Sequence, residues 1–349
     1  MTIPIQIIVS ALVVFTGTLL IVPANIRFSR RYGFLAKPDE RRIHLHTQPE
    51  AGGLSFGIII VLAQLILGLL NLGTDPQFAQ NFLSIGALGI VALTLGLFDD
   101  KYESRARFKI LWQIALGLAM YTLGYRISQI TNPLGDSFAL GWMSLPVTVF
   151  WFVMIINAIN FIDGIDGLAG GIAIISAAVL LTFGIREANH TVIGITSLLI
   201  AGNLAFLRYN FHPARIFMGD TGAIFIGLNL AAVSCAGTAQ FKGITTMTII
   251  IPITVMSIPV IDVILAVFRR LGTGRIFKPD KAHLHHMMLS VGLSHRSIAL
   301  ILYSVTFLFG LVATGFALSS HKLLFAILAG LMMASVIIAY ILLHKENHR

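Results

Sequence analysis

The chain has 349 residues, of which 56% are hydrophobic and 11% charged, and its mean hydropathy is +0.88. About a quarter of a soluble globular domain is charged, so this composition excludes that class and defines a polytopic membrane protein. The net charge of +9 does not argue for a nucleic-acid partner, because the Lys and Arg lie in short loops between apolar runs, where such residues set topology beside a membrane.

A span needs roughly 20 mostly apolar residues. On that template eleven helices are predicted, at about 5–26, 53–71, 81–98, 109–125, 142–160, 167–185, 191–208, 220–239, 244–268, 297–318 and 322–343. The first is read as a retained span, since no basic segment or small-residue cleavage site marks a signal peptide. With the N-terminus outside and the C-terminus cytoplasmic, all of the 24 Lys and Arg except Arg126, Arg186, Lys242 and Lys322 fall on the inner side, as the positive-inside rule requires. The lone Cys235 excludes an intrachain disulfide. No repeat or soluble domain interrupts the pattern, so residues 1–349 are expected to form one all-α membrane domain. Its inner loops, 27–52, 99–109, 160–167, 209–220 and 269–296, carry the polar motifs. Gly272, Gly274 and Pro279 predict an interrupted helix or arm in the last of these loops.

In chain order the motifs are Lys37-Pro38-Asp39-Glu40-Arg41-Arg42-Ile43-His44, then Asp99-Asp100-Lys101, then Asn157 to Gly171, then Asn210-Phe211-His212-Pro213-Ala214-Arg215-Ile216-Phe217-Met218-Gly219-Asp220-Thr221-Gly222, and last Asp280-Lys281-Ala282-His283-Leu284-His285-His286. Ionisable groups at the margin of a span cost several kcal/mol or more and need a use. Asp99, Asp100, Asp163, Asp166 and Asp220 together form an oxygen-rich set that suits Mg²⁺, and with Lys and His nearby they suit phosphoryl chemistry. Each motif alone has a plainer reading. An Asp-Asp pair can be a solvated stop-transfer charge, and Asp220 between two glycines can be a helix cap. The histidines lack a Cys partner for zinc. A secondary transporter is the rival class, with Asp262 inside the ninth predicted span as its candidate, but broken helices do not recur in corresponding halves.

Taken together, Asp-Asp, Asn-x-x-Asp-Gly-x-Asp-Gly-Leu-Ala-Gly-Gly, Phe-Met-Gly-Asp-x-Gly and His-Leu-His-His resemble the polyprenyl-phosphate N-acetylhexosamine-1-phosphate transferases of bacterial envelope synthesis. The His-Leu-His-His form, followed by Gly292-Leu293-Ser294-His295-Arg296, resembles the WecA/TagO group more than the MraY group, whose phospho-N-acetylmuramoyl-pentapeptide transfer is the alternative activity. The resemblance implies transfer of N-acetylglucosamine 1-phosphate from UDP-N-acetylglucosamine to undecaprenyl phosphate at the cytoplasmic face of the bacterial inner membrane, with Mg²⁺, or Mn²⁺ in its place. It further suggests a homodimer.

By motif position, the resemblance makes Asp220 the metal ligand and Asp99 and Asp100 the pair at the reaction centre, with Asp99 as base and Asp100 positioning metal or substrate. Lys109 would contact phosphate, and His283, His285 and His286 would face the diphosphate or sugar. Arg42, His44, Asn160, Asp163, Gly164, Ile165, Asp166, Arg215 and Phe217 would bind substrate, with Asp166 near uracil and Phe217 stacked on the base. Lys281, where Arg is common, and Glu50, where a basic or hydroxyl residue is frequent, depart from the pattern. Direct attack by the lipid phosphate is expected, since the reaction needs orientation and charge neutralisation more than a covalent intermediate. An apolar groove beside the Asp pair is expected to take the polyprenyl tail.

Overall fold

A computed structural model describes residues 2–36, 47–131, 137–236, 284–318, 327–328 and 330–335. The principal helices are α1 (Ile3–Tyr32), α2 (Gly53–Leu70), α3 (Pro76–Tyr102), α4 (Ala106–Thr122), α5 (Ser144–Ile162), α6 (Leu168–Arg186), α7 (His190–Asn210), α8 (Gly219–Ala236), a short α9 (Leu284–Ser290) and α10 (His295–Leu318). Among the described residues, eight helices are long and apolar enough to cross a membrane, so the chain is a helical multi-pass membrane protein. The predicted ninth span, Asp262 within it, and most of the eleventh lie outside the described residues, as do Arg42, His44, Lys281 and His283.

Two helices run past their apolar stretches. α1 continues through Arg27, Arg30 and Arg31 until Gly33, whose φ of 73° takes the left-handed cap conformation. α3 begins at Pro76, where the Asp75 side chain accepts from Phe78 N at 3.0 Å, and ends beyond Asp99 and Asp100. Hydropathy marks where a helix leaves hydrocarbon, whereas caps mark where it stops. The Asp pair is therefore helical, not a loop. Two short antiparallel ribbons were not foreseen: β1 (Leu35–Ala36) with β2 (Gln48–Pro49), and β3 (Gln129–Thr131) with β4 (Ser137–Ala139).

α8 is the hub, packed against α3, α5, α2 and α7, with 89% of its span buried. The outer helices instead turn apolar residues such as Leu20 and Leu70 outward, as a lipid solvent requires. Lipid gives helices no hydrophobic reason to associate, so close backbone approach and interhelical hydrogen bonds hold them. A Cβ on Gly53 would lie 2.1 Å from Gly222 N and Cα. One on Gly96 would lie 2.4 Å from Thr221 Cα. Polar contacts pin the same helix: Gln64 Nε2 donates to Asn229 Oδ1 at 2.8 Å, and Trp151 Nε1 donates to Ser234 Oγ at 2.7 Å.

These contacts fix the head of α8 against α2 and α3. Gly53→Ala is expected to cost about 1–3 kcal/mol by overpacking. Gly73→Ala, with nothing within 4 Å, should stay within about 0.5 kcal/mol of the parent. Unfolding in mixed micelles, followed by circular dichroism, measures both.

Candidate active site at the head of the buried helix

The polar residues converge where α3 ends, α4 and α8 begin, and α5 ends. Asp99 is buried, with 1% of its surface exposed. Its Oδ1 accepts from Ser104 N at 3.0 Å, and its Oδ2 pairs with the Lys109 ammonium. Lys109 Nζ also pairs with Asp220 Oδ2 at 2.6 Å, and Asn160 Nδ2 donates to Asp220 Oδ1. One ammonium thus joins carboxylates from α3 and α8. Charge-assisted bonds of this kind are the strong ones, and removing one partner strands the others.

Asp100 faces a different set of donors. Its Oδ1 accepts from Asp220 N at 2.6 Å, and its Oδ2 accepts from Thr221 N at 3.2 Å and Thr221 Oγ1 at 2.5 Å. The N-terminal N–H groups of a helix lack intrahelical partners and carry partial positive charge. A carboxylate from α3 therefore caps α8, a role Asp220 could have filled had it been structural alone. The divergence of two adjacent helical side chains by about 100° is what sends Asp99 to Lys109 and Asp100 to α8. Gly219, at φ 71°, makes room: a Cβ there would sit 2.6 Å from Asp100 Oδ2.

The segment before α8 is held from behind. Gly52 N donates to Phe217 O at 2.8 Å, Gly53 N to Met218 O at 2.8 Å, and Phe217 N to Pro49 O at 2.9 Å. Glu50 lies in this ladder. Asp163, the C-cap of α5, accepts from Gly219 N. Burial, with the nearby carboxylates of Asp220, Glu50 and Asp100, pushes its carboxyl well above the ordinary carboxylate range, and the Gly219 N–H acts in the opposite sense.

The structure divides the stretch from Asn160 to Asp166. Asn160 and Asp163 join the centre. Asp166 turns toward the loop after α7, where its Oδ2 accepts from Ala214 N at 3.1 Å and meets His212 Nδ1 at 2.8 Å. Of its neighbours in the loop, Gly164 is exposed and Ile165 buried; Phe217 is half-buried and Arg215 exposed. His285 and His286 lie on α9. Glu50, Thr221 and His212 belong to the surroundings of the site; in sequence Thr221 and His212 lie within the Asn210 to Gly222 motif with no role of their own, and Glu50 stands out as an unusual residue before Ala51-Gly52-Gly53.

This is a helical membrane protein with a carboxylate-lysine centre at the converging ends of its spans. The glycosyl transferase family 4 model matches residues 82–238. The chain is 36% identical over 311 residues to the probable undecaprenyl-phosphate N-acetylglucosaminyl 1-phosphate transferase of Bacillus subtilis, covering 88% of this chain and 84% of that protein. It is 34% identical over 316 residues to the decaprenyl-phosphate N-acetylglucosaminephosphotransferase of Mycobacterium tuberculosis, with 83% and 76% covered. The phospho-N-acetylmuramoyl-pentapeptide-transferase of Caldicellulosiruptor bescii is 28% identical over 325 residues, with 88% and 96% covered. The chain belongs to the polyprenyl-phosphate N-acetylhexosamine-1-phosphate transferases, within the WecA/TagO-like group.

Capping by Asp100 has a stability consequence. Asp100→Ala should cost about 1–2 kcal/mol, the usual range for losing an N-cap acceptor, and Asp100→Asn, which keeps an acceptor oxygen, should cost less. Equal losses in micellar unfolding would contradict the capping role.

Proposed function

We propose that the protein transfers N-acetylglucosamine 1-phosphate from UDP-N-acetylglucosamine to undecaprenyl phosphate, releasing UMP, as the first membrane step of an envelope polysaccharide. The observation that carries this reading is the Asp99-Lys109-Asp220 cluster, set at span ends where a lipid phosphate and a cytoplasmic nucleotide can meet. Relatives named for N-acetylglucosamine phosphate transfer are 34–36% identical, against 28–30% for those named for pentapeptide transfer, which favours the smaller sugar. The reading includes eleven spans, an outer N-terminus and an inner, cytoplasm-facing site in a bacterial inner membrane, supported by the Lys and Arg distribution. It also includes one membrane domain for the whole chain and a homodimer.

The donors at the centre are carboxylate oxygens from Asp99, Asp100 and Asp220, with one ammonium between two of them. Such a set fits a hard cation, and Asp220, with Asp100 behind it, would hold Mg²⁺. When bound, Mg²⁺ supplies neutralisation of phosphate charge. Asp99 takes the proton of the lipid phosphate. A lipid phosphate oxygen then attacks the sugar-linked phosphorus; the new P–O bond forms as the bond to the bridging oxygen breaks, and UMP leaves with that oxygen. Lys109 and Asn160 hold Asp220 in place, while Asp166 and Phe217 seat the nucleotide. His283, His285 and His286 donate to the diphosphate or sugar, and Arg42, His44 and Arg215 contact the substrates from the loops.

The test is transfer of label from radiolabelled UDP-N-acetylglucosamine into butanol-extractable lipid by purified protein. Label should move with this donor and not with UDP-MurNAc-pentapeptide, and no transfer from either would overturn the reading. Asp99→Asn should abolish turnover with donor binding intact, whereas Asp166→Asn should weaken donor binding roughly 10–100-fold, the worth of a hydrogen bond to a charged group. Identical behaviour of the two variants would refute this division of roles.

A further inference from the structure

Apart from the carboxylate-lysine centre, a second polar cluster joins three elements. Asp166 lies in the loop between α5 and α6, His212 in the loop after α7, and His295 at the first residue of α10. Each offers one ligand atom, and these atoms all lie within 4.8 Å of one another. His212 and His295 face each other with ring centroids 5.1 Å apart and planes 17° apart. Asp166 is 6% exposed, and while its Oδ2 is bonded to His212 and Ala214, its Oδ1 is buried with no hydrogen-bond partner among the described residues. A buried carboxylate oxygen without a donor costs free energy unless a cation or a further donor meets it.

The frame around the cluster is firm. Gly167 N donates to Asn210 Oδ1 at 3.1 Å, and Tyr303 Oη donates from α10 to Gly167 O at 2.6 Å. Asn210 Nδ2 donates in turn to Ile216 O at 2.9 Å. The loop bearing Asp166 is thus already tied to the two elements that bring the histidines. His212 remains 40% exposed, which leaves an approach from solvent.

We propose that Asp166, His212 and His295 form a binding site for a single divalent transition ion of the Zn²⁺ class, clamping the loops after α5 and α7 to the head of α10. The ligand chemistry selects the ion: two imidazoles and one carboxylate suit Zn²⁺ and Co²⁺, whereas Mg²⁺ takes oxygen donors and belongs with the other centre. Three protein ligands with an open fourth position form a well-attested tetrahedral arrangement. With metal–ligand bonds of about 2.0–2.2 Å the ligand atoms of a tetrahedron lie about 3.3 Å apart, so ligation requires closure by at most about 1.5 Å. The Ala214 N–H on Asp166 Oδ2 is the outer-shell bond that orients the carboxylate. The site shares Asp166 with the nucleotide seat proposed above, and its test is independent of that reading because it uses neither donor nor lipid.

The probe is Co²⁺ added to full-length, chelator-treated protein carrying no polyhistidine tag, read by visible absorption. One equivalent should give the intense d–d bands of tetrahedral cobalt, and Zn²⁺ should bleach them. His212→Ala and His295→Ala should each weaken Co²⁺ binding about 100-fold or more, the upper end of what loss of even an outer-shell partner costs. His295→Cys should retain the ion and add a thiolate-to-cobalt charge-transfer band in the near ultraviolet, which guards against mere misfolding of the alanine variants. Asp220→Asn should leave the bands unchanged. Absence of tetrahedral bands, or bands that survive in both alanine variants, would overturn the proposal.

Discussion

An ammonium shared between two carboxylates at the head of a buried helix is the constraint on which the rest of this protein depends. Lys109 comes from the first turn of α4, Asp99 from the last turn of α3 and Asp220 from the first turn of α8. Away from bulk water, such charges persist only when paired and further hydrogen-bonded. The surrounding bonds meet that condition: Ser104 N serves Asp99, and Asn160 serves Asp220. Because the three partners sit on three helices, satisfying their charges and fixing the helix ends are one requirement.

Packing of the spans answers the same requirement from the apolar side. α8 can lie at the centre of the bundle because its neighbours present glycine where it comes nearest, at Gly53 and Gly96. That closeness is what brings the Asp100 carboxylate onto the exposed N–H groups of α8. The cap stabilises the hub helix, and the helix orients Asp220 toward Lys109. The ladder from Pro49 to Gly53 along Phe217 and Met218 adds a third restraint, so the reacting end of the bundle is held from α2, α3 and α5 together.

Much of this was legible in sequence. Apolar runs located nine of the helices within a few residues, because length and hydropathy are direct statements of what hydrocarbon tolerates. The acidic positions stood out for the same reason, since Asp99, Asp100 and Asp220 interrupt or end such runs. Hydropathy could not tell that α1 and α3 run on past their apolar stretches, because Arg, Lys and Asp are accommodated in a helix that has left the membrane. The two ribbons also escaped, being two or three residues long with no alternation to read.

The division within Asn160 to Asp166 shows a deeper limit. Three polar residues at intervals of three invite a single site, and on a continuous helix they would nearly share a face. α5 ends at Ile162, however, so Asn160 is placed by helix geometry, Asp163 by its capping position, and Asp166 by a loop that turns it to His212 and Ala214. Spacing carries meaning only within one kind of backbone, and the change from helix to turn was what redirected the third carboxylate. The same reasoning explains why His212 and His295, each within a motif visible in sequence, carried no role there: they belong to separate segments, and only the docking of α10 on α6, with Tyr303 bonded to Gly167, brings their rings together over a buried carboxylate. A polar cluster assembled by tertiary packing leaves no periodic trace, so its chemistry must be read from the contacts that assemble it.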